Sequence, residues 1–463
     1  MRLLPILLAL AVFVACSSSS SDDDETPTPA PSRTASPSPQ KSPSETPTAD
    51  PVADFPETTP FSAELTQKLH QVRDRVAAIR GLPLHEGVKE GLLSTEALAQ
   101  YGRDQFAALE PEDAQSVEES EAVLALLGLV PPGYSFEDYV TEEANLIAGL
   151  YYPEADHLVI VGSGEPADLT IQQELTLAHE YVHALQDARY DLTSLGETWL
   201  EAPEEEDGYT SYGETVHCLV EGDAEFAQTL YAEEVFGPDW RAQLAAEYAA
   251  GPPIEFDIPE FLLRAIFFNY SECLSFVETL YEDGGWEAVD AAYADPPGTT
   301  EQVLQIEKYY AGEVAGQAKP SAIDGQVPGW TETFGGQWGM FDTYNYVLSR
   351  SGDFFAADES ADGWDHGWLR TFRADGSELQ IAIDVRIGFE TMADRQEFLE
   401  AFAGVLGSHG LALGEVALDD GVRRWETPDE FGQFGALSLA GELGVRLVFG
   451  QDAATIDAFV AAD

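Results

Sequence analysis

Ala178-His179-Glu180-Tyr181-Val182-His183-Ala184-Leu185 sets two histidines four residues apart inside a stretch with helical apolar spacing. On a helix, residues four apart project from nearly the same face, so His179 and His183 present two imidazoles to one point. That is a metal-binding geometry. Glu180, rotated about 100° further round the axis, stands beside such a metal, where it can take a proton from a bound water.

The flanking residues support a buried helix. Ile171, Leu175, Ala178, Val182 and Leu185 make an apolar face, and Gln172, Thr176, His179, His183 and Gln186 make a polar stripe beside it. Asp168 or Thr170 starts the helix, Thr170 with Gln173 having capping-box spacing, and it runs to about Tyr190. Asp187, four residues after His183, is placed either to accept a hydrogen bond from a ligand imidazole or to sit solvated at the helix end. Just upstream, residues 145–152 and 157–161 are short apolar runs around Pro153-Glu154-Ala155-Asp156, a β-hairpin pattern.

Catalytic zinc generally takes three protein ligands, so a third must be found. The metzincin extension fails: it needs a histidine six residues after the second, and Arg189 stands there, with Gln186 in place of a glycine. Glu221, in His217-Cys218-Leu219-Val220-Glu221-Gly222-Asp223-Ala224-Glu225-Phe226, lies in a segment apolar enough to be buried, where a carboxylate needs a partner. His217, one turn earlier, faces either the site or solvent.

HEYVHALQD followed by LVEGDAEF resembles the gluzincin-type zinc metallopeptidases, within a group of bacterial surface lipoproteins carrying the same motif pair. The match covers residues 145–235. The resemblance implies Zn²⁺ held by His179, His183 and Glu221, Glu180 as general base, and Glu225 as the carboxylate behind a ligand. Many members have Asp at that last position. It also implies a zincin-like domain whose hairpin offers an edge to an extended peptide; a plain core hairpin is the other reading of those strands. Tyr270, in the apolar helical stretch 253–281, is either a core tyrosine or a donor to the oxyanion formed during hydrolysis.

The N-terminus is read separately. Arg2, the apolar run Leu3–Val14 and Phe13-Val14-Ala15-Cys16 resemble a lipoprotein signal peptide with Cys16 acylated, although Phe13 departs from the usual aliphatic residue. An ordinary secretory signal is the alternative; either places the mature chain outside the cytoplasm. Residues 17–55, rich in Ser, Pro and Thr, read as a disordered tether. Cys218 and Cys273 then remain, as a disulfide or as buried thiols.

Charge is the strongest compositional signal: 22 basic against 84 acidic residues give −62. Such a surface repels polyanions and excludes nucleic-acid binding. Two origins are open, adaptation to high salt and plain acidity of a secreted protein.

The expected architecture is α+β. A mainly helical zincin-like catalytic domain with a small β-hairpin or sheet spans 56–350, its helical part 56–135 buttressing or covering the site and its core at 140–350. A small α+β accessory domain spans 363–463. The expected function is a lipid-anchored, extracytoplasmic zinc metallopeptidase acting on peptide or protein substrates. A zinc-stabilised surface lipoprotein that only binds is the alternative, and hydrolysis of a non-peptide bond uses the same residues.

Overall fold

A computed structural model of the chain describes residues 55–462 except 84–86, 110, 145–146, 163, 165–168, 196–211, 251–257, 314, 316–326, 378–379, 409, 412–417, 420 and 428–433. Cys16 with the signal-like run, residues 17–54 of the expected tether, the start of the hairpin at Asn145, and Asp168 lie outside the described residues.

The fold is mixed α+β. Helices α1 (Ala63–Arg80), α2 (Thr95–Ala107), α3 (Pro111–Leu127) and α4 (Phe136–Glu143) precede strands β2 (Gly149–Tyr152) and β3 (His157–Val161), with β1 (Lys89–Leu93) between α1 and α2. The hairpin β2–β3 is antiparallel, closed through a turn at Pro153–Ala155, and β1 adds in parallel to give the order β1-β3-β2. β2 is therefore an edge.

Helix α5 (Ile171–Tyr190) lies against this sheet. Thr170 caps it through its hydroxyl, and the Gln173 side chain returns the bond to the Thr170 N–H, as the spacing predicts. Glu247, on α7 (Trp240–Ala250), accepts the next two N–H groups, Ile171 and Gln172, at 3.0 and 3.1 Å. Leu175, Ala178, Val182 and Leu185 are buried with Leu69, Val72 and Val76 of α1. At about 1.5–3 kcal/mol for each such fully buried aliphatic side chain, this face holds the helix in place.

Two long helices complete the layer. α6 (Tyr212–Phe236) packs one side on α5 through Ala224 and Ala227 and the other on α8 (Glu260–Gly284). Gly222 lets α6 come close to α8, since a Cβ there would sit 2.3 Å from the Cys273 carbonyl oxygen. Cys218 and Cys273 form a disulfide between the same two helices, which decides between the two readings of that pair.

The C-terminal part is an antiparallel sheet of seven strands, order β4-β5-β6-β10-β9-β8-β7. Its first strand, β4 (Trp330–Gln337), comes from the span read above as catalytic domain and pairs with β5 (Trp364–Ala374). The others are β6 (Ile381–Phe389), β7 (Leu418–Asp419), β8 (Val422–Glu426), β9 (Phe434–Ala440) and β10 (Gly444–Gly450). Ile383, Val385 and Leu447 on one face share a buried cluster with Val117 and Leu124 of α3 and Phe136 of α4. So α1 braces the histidine helix, whereas α3 and α4 supply apolar surface to this sheet. Among the described residues no helix is long and apolar enough to cross a membrane.

Near the start of α6, Glu214 is close enough to feel the charge of Asp342, which bonds the Gly339 N–H at the start of Met340–Ser351. Burial, reinforced by Asp342, raises Glu214 well above its ordinary value of 4.5. Burial also pushes Asp342 from 3.8 up to about 7, against the bond from Gly339. Both groups hold protons in the folded chain that the unfolded chain has released, so stability should fall as pH rises from about 4 through about 7. Glu214→Gln is expected to flatten that slope and to raise the denaturant midpoint above pH 7. Urea titrations of both proteins across pH 4–8 measure it; parallel curves refute it.

Candidate metal centre

The two histidines of α5 meet the glutamate of α6 at one point. His179 Nε2 is 3.0 Å from His183 Nε2 and 3.1 Å from Glu221 Oε2, and His183 Nε2 is 3.5 Å from Glu221 Oε1. One ligand atom from each residue lies within 4.8 Å of the others, and all three residues are buried. Two imidazoles and a carboxylate form a donor set suited to a divalent metal ion such as zinc. Two imidazole nitrogens this close also need something between them, a shared proton or a cation. The residues therefore fit a metal ion.

Burial alone pulls His179 down, but bonds and charge from Glu221 and Glu225 outweigh it and hold its pKa well above the ordinary value. His183 is likewise raised, burial being overcome by the Glu221 charge. Glu221 is pushed up by burial yet held well below its ordinary value by His183 and His179. The cluster is one electrostatic unit. Metal binding must then release protons and weaken at acid pH.

Glu180 is buried one residue along from His179, and Tyr151 of β2 donates its backbone N–H to Glu180 Oε2 at 2.7 Å. β2 passes close over the helix here: a Cβ on Gly149 would meet Thr176 at 2.8 Å and Glu180 at 3.4 Å. Glu225, one turn beyond Glu221, lies 3.3 Å from His179 Nδ1, and Gln228 donates to its other oxygen. Tyr270 on α8 stands with its ring 5.9 Å from that of His179 and is 40% exposed, so it borders the site rather than the core. His217 Nδ1 is 4.0 Å from Glu221 Oε1, and burial lowers its pKa.

Asp187 is placed differently from the ligand-orienting reading. Its carboxylate accepts the Tyr151 hydroxyl at 2.8 Å and the Leu192 N–H at 2.9 Å, tying β2 to the end of α5. Burial raises its pKa, partly offset by the Tyr151 bond. The bond to a ligand imidazole comes from Gln186 instead, whose Oε1 is 2.8 Å from His183 Nδ1. Gln186 lies one turn after His183 on the polar stripe already visible in the sequence, which was the signal for it.

A further set of polar residues lies behind the candidate ligands. Arg80, from the end of α1, donates Nε to Asp223 at 2.6 Å and Nη2 to Asp290 at 2.7 Å, and lies over the Trp286 ring. Asp223 Oδ2 also receives the Tyr293 hydroxyl at 2.8 Å and Gln186 Nε2 at 3.0 Å. The sequence carried no sign of this cluster.

No protein-family model matches the chain, no curated protein matches it in sequence, and no solved structure matches it in fold.

Proposed function

We propose that the chain is a zincin-like zinc metallopeptidase of the gluzincin type, with His179, His183 and Glu221 as zinc ligands and Glu180 as the general base. The observation that carries this reading is the buried convergence of these three donors, and only these among the described residues, with a second carboxylate, Glu180, fixed beside them. Catalytic zinc sites hold three protein ligands and keep one position open, whereas structural ones are closed by four.

Zinc, when bound, supplies Lewis acidity toward a carbonyl and toward water. Glu180, held in place by the Tyr151 N–H on Oε2, is the carboxylate that would take the proton from the attacking water and later pass it to the leaving amine. Glu225, 3.3 Å behind His179 Nδ1, favours positive charge at that imidazole and so at the site. Tyr270, at the border of the site, is the candidate donor to the developing oxyanion. The lipobox-like Phe13–Cys16 supports placing the enzyme on a membrane, outside the cytoplasm, facing peptide or protein substrates.

The purified protein is expected to bind one equivalent of zinc. Chelation should abolish cleavage of a peptide library, added zinc should restore it, and His179→Ala should lose both metal and cleavage. A wild-type protein that takes up no zinc ends the proposal. Stoichiometric zinc with no cleavage selects the binding-only alternative.

A further inference from the structure

We infer that Gln186, itself locked by Asp223 and the Val220 carbonyl, is a positioning residue that fixes the tautomer of His183 so that Nε2 faces the metal; the inference rests on the zinc reading above. Gln186 and Asp223 are both fully excluded from solvent. The Gln186 amide nitrogen lies 3.0 Å from the Val220 carbonyl oxygen and 3.0 Å from Asp223 Oδ2. The first is an acceptor only, and the second belongs to a carboxylate ion-paired with Arg80 and already receiving Tyr293.

Those two acceptors decide which way the amide points. A flipped amide would set its oxygen against both of them and leave buried groups unsatisfied. The oxygen therefore faces His183 Nδ1, 2.8 Å away. An amide oxygen only accepts, so Nδ1 must carry the proton. Neutral imidazole has one N–H, and the lone pair is left on Nε2, the atom beside His179 and Glu221. Asp223 thus acts on the metal site through Gln186 without touching it.

The test uses the full chain and zinc alone. Gln186→Leu removes the acceptor while keeping all three ligands, and its zinc affinity, measured by competition with a chelator, should fall about 10- to 100-fold. Equal zinc affinity in Gln186→Leu and wild type overturns the inference. Nitrogen-15 NMR of labelled histidine in the wild-type protein reads the tautomer independently of any variant's folding. At a pH where the imidazoles are neutral, a proton on His183 Nδ1 sustains the inference, and a proton on Nε2 overturns it. A wild-type protein that takes up no zinc overturns the proposed function instead, and the tautomer is still read in the metal-free chain.

Discussion

Glu180→Gln is expected to keep its zinc and its fold and to lose peptide hydrolysis by about 10²–10⁴-fold, the range that a positioned general base contributes. The amide oxygen of glutamine can still accept the Tyr151 N–H that now meets Glu180 Oε2 at 2.7 Å, so the contact between β2 and α5 survives. What is removed is the ability to take a proton. Zinc content by elemental analysis and kcat on a cleaved peptide measure the two properties separately. Retained turnover in a zinc-loaded variant would remove Glu180 from the mechanism.

Asp223→Ala is expected to cost about 3 kcal/mol of stability, the low end for breaking a buried ion pair, because it leaves the interior charge of Arg80 only partly compensated by Asp290. The Arg80 and Asp223 side chains are both fully inaccessible, and Asp290, the other partner of Arg80, is 36% exposed. Tyr293 and Gln186 would lose the same acceptor. Replacing both charges, as Arg80→Met with Asp223→Leu, should restore part of the loss, since buried ion pairs yield to apolar groups of similar volume. Urea unfolding of the single and double variants decides it. A double variant as unstable as Asp223→Ala would mean that the loss does not come from the stranded charge.

How much of this was legible beforehand follows from range along the chain. The helix Ile171–Tyr190 was readable to its cap, because Thr170 and Gln173 sit three residues apart and its apolar face repeats locally. Glu221 was readable because a carboxylate in an apolar helix needs a reason to be there. The hairpin was readable from its turn. By contrast, Arg80 and Asp223 are 143 residues apart, and nothing in either neighbourhood points to the other. The strand Trp330–Gln337 was missed for a local reason: Thr-Glu-Thr-Phe-Gly-Gly-Gln has little apolar alternation, and its strand character comes from pairing with β5. Lys89–Leu93 is short and pairs in parallel with a strand far downstream, so only the assembled sheet reveals it. Spacing offers Asp187 either a ligand imidazole or solvent, and it cannot tell that a tyrosine from β2 reaches the carboxylate first.

Gly222, next to Glu221, carries a consequence for mutational drift. Any side chain there meets the Cys273 carbonyl at 2.3 Å and Val277 at 3.0 Å, and the disulfide at Cys218, four residues earlier, prevents the two helices from simply spreading. Position 222 is thus closed to every single amino-acid replacement that leaves Glu221 where it is. Whatever residue replaced the glycine, Glu221 would be moved away from His179 and His183, and the three-donor cluster would come apart from a position that touches none of the donors.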